Sequence, residues 1–214
     1  MAKPGLLSQT LHRLAVILTT AFVLVVTSTA AYADAVEEVG IISETVFANW
    51  SVTDSSGCIL TQVVVIAADA SLRGDGMIGR SASVHASQFN FCTNAFLYGD
   101  GETLSPVLNI GQSLGSASLQ GDVTLCGASS AAGVACFNVS MNLAWSSTSE
   151  IQPVNNTDQF RVGDTIVIAH ANGGVRNAIA FGNLTGGGVS WVAGGSQQAF
   201  IALSRSSGIT ITHQ

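Results

Sequence analysis

A serine, a histidine and an acid can together form a hydrolytic triad, in which the histidine takes the serine proton and the acid orients the histidine. In this chain His85 and His170 are the possible bases, and Asp69, Asp122 and Asp164 are the possible acids. Serines occur throughout the chain, and their spacing singles out no nucleophile. The thirteen carboxylates likewise contain no pair whose spacing predicts glycoside hydrolysis. The sequence therefore predicts a protein that is not an enzyme, with a secreted hydrolase as an alternative.

Metal ligation is the second kind of chemistry to consider. The four cysteines include no C-x-x-C pair and the histidines are scattered, so the spacing does not match a zinc site. Asp75, Asp100 and Glu102 could offer oxygen ligands to calcium. A calcium loop needs several such ligands at close alternating spacing, however, and neither stretch has them. We expect no metal ion and no cofactor.

Aromatic side chains are the third candidates, because exposed rings can stack on sugars as they do in carbohydrate-binding β proteins. Trp50 and Trp145 share their strand parity with aliphatic neighbours and should face the core. Trp191 lies among glycines and serines and is the candidate for an exposed, ligand-binding ring, and Tyr98 could join it. Carbohydrate binding through Trp191 is therefore an alternative function.

Two arginines have further possible roles. Arg73, in Arg73-Gly74-Asp75, belongs to the tripeptide that integrin ligands display on loops, although a polar glycine turn explains the same residues. Arg176 lies within an apolar strand-like run. If its guanidinium is buried, it needs a carboxylate partner, and if it faces outward it needs none.

The N-terminal 33 residues have the features of a secretory signal peptide. A basic start precedes an apolar run from Leu14 to Val26, and Ala31-Tyr32-Ala33 precedes Asp34, which places cleavage after Ala33. The run is too short to cross a membrane, and we expect a secreted, extracellular protein with no stable membrane anchor. The rest, residues 34–214, is long enough for one domain with a substantial core.

Removing the signal peptide leaves five arginines, no lysine and all thirteen acidic residues, a net charge of −8. So few cations cannot form a basic surface that neutralises phosphates. Nucleic acid is therefore excluded as an expected partner. The acidity favours solubility and disfavours binding to an anionic membrane.

Four cysteines in an exported chain indicate two disulfides. Cys126 and Cys136 flank a turn of small residues, so a bridge across one hairpin is the simplest pairing, which leaves Cys58 with Cys92. The three possible connectivities stay open from the sequence alone.

The elements that position these residues are predicted from hydrophobic alternation, which recurs through the chain with period two and indicates half-buried strands. Examples are Ala117-Leu119-Val123-Leu125, Val139-Met141-Leu143-Trp145 and Val46-Ala48-Trp50-Val52. The run Val63-Val64-Val65-Ile66 predicts a central strand covered on both faces. Between residues 81 and 98 the phase slips, which predicts a bulge near Ser87-Gln88.

Glycine-rich segments should turn the chain between the strands. Asn172-Gly173-Gly174, Gly186-Gly187-Gly188 and Gly194-Gly195 predict hairpin turns, and residues 34–40 predict a frayed end. The expected fold is all-β: an antiparallel β-sandwich of about nine or ten strands after the signal peptide, with a closed barrel as the alternative.

Three segments resemble a group of uncharacterised, small secreted bacterial β-sandwich proteins. They are Gly57-Cys58-Ile59-Leu60-Thr61-Gln62-Val63, Leu143-Ala144-Trp145, and the stretch from Gly173 through Arg176 to Gly182. The resemblance implies export and a β fold, and it implies no activity.

Together these features favour a non-enzymatic protein with an extracellular interaction or structural role. The possible partners are an extracellular glycan or protein, or a second copy that pairs through strand edges.

Overall fold

The strands form where β-branched and aliphatic residues alternate with polar ones, as the sequence predicts. The computed structural model describes residues 37–72, 76–131, 133–162, 165–192 and 194–212. These residues form eleven antiparallel strands: β1 Glu37–Thr53, β2 Ile59–Leu72, β3 Gly76–Asn90, β4 Ala95–Thr103, β5 Val107–Ile110, β6 Ser116–Ser129, β7 Gly133–Ser147, β8 Gln152–Val162, β9 Thr165–Gly186, β10 Val189–Ser190 and β11 Gln198–Thr212. The predicted signal peptide, the Arg73-Gly74-Asp75 segment, Asp164 and His213 lie outside the described residues.

Helical structure is limited to one 3-10 turn, Gln112–Leu114, within the described part of the chain. No helix there is long and apolar enough to span a membrane.

Eight strands close on themselves through their pairings. The order runs β9, β11, β1, β2, β3, β4, β6 and β7, and β7 pairs again with β9. Closure is possible because β9 is 22 residues long and bonds to β11 along one edge and to β7 and β8 along the other. The predicted sandwich of two sheets is therefore not confirmed, since the described strands form one sheet, and their number exceeds the predicted nine or ten.

The closed part ends where two strands end. β6 begins at Ser116, opposite Ser146, and β4 ends at Thr103, opposite Ala82. Beyond these points β8, β9, β11, β1, β2 and β3 continue side by side as an open sheet. The two edges of this open sheet are formed by β8, over its whole length, and by the first residues of β3.

The core lies inside the closed part and has the predicted alternation. It is continuous and consists of the inward residues of the strands, among them Val46, Ala48, Trp50, Ala117, Leu119, Val123, Leu125, Val139, Met141, Leu143 and Trp145. β2 is central, but it buries only one face: Val63, Val65 and Ala67 are inaccessible, whereas Val64 and Ile66 are half-buried. The second face of β2 is on the outside of the closed sheet, where no other strand of the described part of the chain packs against it.

The predicted hairpin turn at Gly173-Gly174 and part of the predicted frayed end are wrong. Gly173 and Gly174 lie inside β9 and not in a hairpin turn. Gly173 is needed because the neighbouring backbone comes close: a Cβ there would stand 1.9 Å from the Leu203 carbonyl oxygen. The predicted frayed end is wrong for Glu37 to Gly40, which pair with β11, while residues 34–36 lie outside the described residues.

Both predicted disulfides are present: Cys58 bonds to Cys92 and Cys126 bonds to Cys136. The second bridge joins directly opposed residues of the β6–β7 hairpin. Bridges of this kind form and persist in an oxidising compartment.

Candidate functional site

Four aromatic rings lie together on the outer surface of β3 and β4. Phe89 and Phe96 are paired across the two strands, Tyr98 follows Phe96 by two residues, and Phe91 follows Phe89. The Phe89 and Phe91 centroids are 4.9 Å apart in edge-to-face geometry, and those of Phe96 and Tyr98 are 6.4 Å apart and nearly parallel. We call these four residues the aromatic patch. They are between 37% and 55% exposed, so a large apolar surface faces solvent.

The turn between β3 and β4 fixes one end of the aromatic patch. The Asn90 side chain accepts hydrogen bonds from the Cys92 and Thr93 backbone N–H groups, each at 3.0 Å. The Phe91 N–H donates to the Cys58 carbonyl at 2.8 Å, and Asn94 has a φ of 55°. Together with the Cys58–Cys92 bridge, these bonds hold Phe91 beside Phe89.

Polar groups border the aromatic patch on the same face. Ser87 is paired with Tyr98, and His85 is paired with Asp100 one row further along the strands. The His85 ring hydrogen-bonds through Nδ1 to the Asp100 carboxylate, and both side chains are about half exposed or more. The outer face thus offers aromatic rings next to hydrogen-bonding groups.

A second cluster lies on the inward face of the open sheet. Glu44, Asp69 and Arg80 occupy one cross-strand row of β1, β2 and β3. Arg80 Nε donates to the Asp69 carboxylate at 2.5 Å. With Ile42 and Ser71 they line a cavity of about 350 Å³. Burial raises the pKa of Glu44, the Asp69 charge raises it further, and Arg80 opposes both effects.

Glu44→Gln is expected to stabilise the protein at neutral pH. A carboxyl whose folded pKa is raised contributes stability that is lost as the pH rises through that folded value. The Gln variant should therefore gain a few tenths of a kcal/mol at neutral pH, a small gain because Glu44 is only partly buried and solvent screens its charge. The gain should vanish well below the ordinary value of 4.5.

Urea denaturation at neutral pH and at a pH well below 4.5 measures this effect. Glu102→Gln, on the exposed face of β4, is the matched control. A gain from Glu44→Gln that is the same at both pH values would show that the charge of Glu44 is not its cause.

Trp191, the predicted ligand-binding ring, is buried. It is 2% exposed, stacks on Phe137 with centroids 5.7 Å apart, and donates its indole N–H to the Gly186 carbonyl at 3.1 Å. The predicted exposure is wrong, because the glycines around Trp191 let the chain fold this ring back against β7 and β9. Trp50 and Trp145 are in the core as predicted, and Tyr98 is exposed.

Arg176 is largely buried, with 19% of its side chain exposed, and it does have a carboxylate near it. Its Nη1 donates to the Ser113 carbonyl at 3.0 Å, and Nη2 lies 3.9 Å from Glu150. Arg176 therefore ties β9 to the 3-10 turn, where Ser113 and Leu114 both have positive φ.

Ser113 was missed as a candidate nucleophile, although Gly111-Gln112-Ser113-Leu114-Gly115 matches the G-x-S-x-G pattern. The nucleophile of that motif stands between a strand and a following helix, near a histidine. Here a three-residue turn joins two antiparallel strands, and the bond described at Ser113 is the one that its backbone carbonyl accepts from Arg176. The arrangement is a tight turn, and among the described contacts none brings a base to the Ser113 hydroxyl.

The other predicted catalytic and calcium residues are dispersed. His85 binds Asp100, and His170 hydrogen-bonds to Thr157 at 3.0 Å. Within the described residues, His85 bonds to Asp100 and to no serine, and no group of three His, Cys, Asp or Glu side chains could hold a metal ion. Asp100 and Glu102 share the outer face of β4, and Asp75 lies outside the described residues.

The aromatic patch was missed although the sequence carried its signal. Phe89 and Phe91 caused the phase slip that predicted a bulge near Ser87, but β3 pairs with β2 without a register shift there. From Gly79 to Asn90 the alternation of β3 is continuous, Phe89 occupies one of its outward positions, and Phe91 follows β3 in the turn. Large apolar residues at strand positions where the alternation places polar ones are the sequence signal of an exposed aromatic surface.

The described residues thus define an all-antiparallel β protein with two disulfides and an aromatic outer face. No protein-family model matches the chain, and no curated protein matches it. One solved structure similar to it is that of a provisionally named AttH from Nitrosomonas europaea, with 5% identity and a TM-score of 0.20. The match covers 81% of this chain and 52% of the other, so the chain spans about half that neighbour's length. A likeness at this score assigns neither fold nor function.

Proposed function

We propose that this chain is a secreted, non-enzymatic protein that binds neutral carbohydrate in the extracellular space through the aromatic patch. The observation that carries the proposal is the grouping of Phe89, Phe91, Phe96 and Tyr98 on one exposed face. Contiguous exposed apolar surface is uncommon on a soluble protein unless it binds something.

The chemistry of the patch suits a sugar. Ring faces stack on the C–H faces of pyranoses, and hydroxyl groups require hydrogen-bonding partners at the border of the rings. Ser87, His85 and Asp100 provide such partners on the same face. Asp100 and His85 already bind each other, which holds both side chains in fixed positions.

Charge disfavours the other ligands. The residues paired with the aromatic patch include no lysine or arginine, and the chain without its predicted signal peptide carries a net charge of −8. A polyanion such as a nucleic acid or a sulfated glycan would be repelled. Export is supported by the signal-like N-terminus and by the two disulfides.

Phe96→Ala and Tyr98→Ala are each expected to weaken glycan binding at least tenfold, because each removes one stacking surface. The ligand is first selected on a glycan array, and the dissociation constant of the selected neutral oligosaccharide is then measured by calorimetry for each variant.

Phe181→Ala is the matched control. Phe181 is 47% exposed on β9, away from β3 and β4, and its removal should leave the affinity unchanged. Absence of binding to any neutral glycan would refute the proposal, and so would an equal loss of affinity in the Phe181 variant. Binding of a protein to the patch without glycan binding would also refute it.

A further inference from the structure

One edge of β8 is not covered by another strand. β8 and β7 lie end to end along the same side of β9, β7 against residues 178–186 and β8 against residues 165–175. The strand that covers β7 on its other side is β6, which begins at Ser116 and so does not reach β8. Within the described part of the chain, β8 pairs with β9 alone. An eleven-residue edge is therefore left open.

An open edge presents unpaired backbone N–H and C=O groups, which can pair with another strand. Proteins that avoid this place lysine, several prolines or a bulge on the edge. β8 has no lysine, and its one proline, Pro153, is at its second position. Residues 152–159 are otherwise mostly polar, uncharged and solvent-exposed, apart from Val154 and Asn156, which are half-buried, and Asp158, which is charged. Little in this strand opposes pairing along most of its length.

We propose that the β8 edge binds the β8 edge of a second copy of this chain, in antiparallel register about a two-fold axis at Thr157. The sequence of β8 is chemically symmetric about that residue. Amide faces amide or acid in the pairs Asn156 with Asp158 and Asn155 with Gln159.

The symmetric register also avoids charge repulsion. Asp158 would stand opposite Asn156, and Arg161 opposite Pro153, so neither charge meets its own kind. Matched cross-strand pairs stabilise antiparallel strands, whereas like charges directly opposite destabilise them. An interface made of the same segment on both copies closes after two chains, which predicts a dimer and not a fibre.

A cysteine at the axis tests the register. In the Thr157→Cys variant the two new thiols stand directly opposite each other, within the reach of a disulfide, and mild oxidation should give a covalent dimer. In Asn155→Cys the two thiols are offset by four residues, roughly 13 Å along the strands, and should not join. The four native cysteines are already paired, so they do not compete.

Charge at the axis tests the interface without oxidation. Light scattering with size-exclusion chromatography should show a dimer for the wild-type protein. Thr157→Lys should weaken dimerisation at least tenfold, with partial recovery in high salt, whereas Thr157→Val should dimerise as the wild type does. The valine variant also loses the hydrogen bond to His170, which controls for that bond.

A wild-type protein that stays monomeric at its highest soluble concentration would overturn the proposal. A dimer that survives Thr157→Lys, or equal cross-linking of both cysteine variants, would also overturn it. The aromatic patch is on β3 and β4, so Tyr98→Ala should leave the dimer intact, and glycan binding stands or falls separately.

Discussion

Trp145→Ala is expected to lower the free energy of unfolding by about 3–5 kcal/mol, the range for truncating a buried large aromatic residue. Trp145 is 1% exposed. Its indole N–H donates to the Phe47 carbonyl at 2.8 Å, so the side chain crosses the interior from β7 to β1. Those two strands are not neighbours in the closed sheet, and the substitution therefore leaves a cavity and removes a hydrogen bond between them. Urea denaturation measures the effect. The slope of the free energy of unfolding against urea concentration should stay the same in the variant.

A comparison with Trp50 separates the contribution of the hydrogen bond to stability from that of packing. It is also 1% exposed, but its indole nitrogen is buried without a hydrogen-bond partner among the described residues. Trp145→Phe should therefore cost about 0.5–1.5 kcal/mol more than Trp50→Phe, because only the first breaks a hydrogen bond. Equal losses from the two substitutions would show that the bond to Phe47 contributes nothing. A change below about 1 kcal/mol for Trp145→Ala would contradict its burial.

The core could be predicted because buried and exposed side chains alternate along each strand. The inward residues of β6 and β7, such as Leu119 and Leu143, follow from the alternation alone. The hairpin bridge Cys126–Cys136 followed from a short turn between two such strands. These features are local, so a window of about ten residues contains all the information they need.

The closure of the sheet and the aromatic patch depend on distant residues. Whether strands close or stack is decided by the register of β7 and β11 on β9, which no single segment encodes. Phe89 and Phe96 come together only through the pairing of β3 with β4. The row of Glu44, Asp69 and Arg80 likewise needs the register of three strands. The strands can therefore be predicted from local sequence, whereas the sites depend on contacts between strands.

Gly173→Ala is expected to lower the free energy of unfolding by about 3 kcal/mol, the upper part of the range for overpacking. A Cβ at this position would stand 1.9 Å from the Leu203 carbonyl oxygen and 2.9 Å from its carbon. Both atoms belong to the backbone of β11, so no side-chain rotation relieves the contact. Either β11 moves away from β9 over several paired residues, or the pairing of the two strands breaks.

Gly79→Ala is the matched control, because Gly79 also lies in a strand and a Cβ there would meet nothing within 4 Å. Replacing glycine where the backbone tolerates alanine should leave stability unchanged or raise it by about 0.4–1 kcal/mol, since the unfolded chain loses freedom. Urea denaturation of both variants distinguishes the two glycines. If Gly173→Ala were as stable as Gly79→Ala, β11 would not lie against β9 at this register. A large loss confined to Gly173 would show that the glycine pair predicted as a turn is a requirement of strand packing, which ties β9 into the closed sheet.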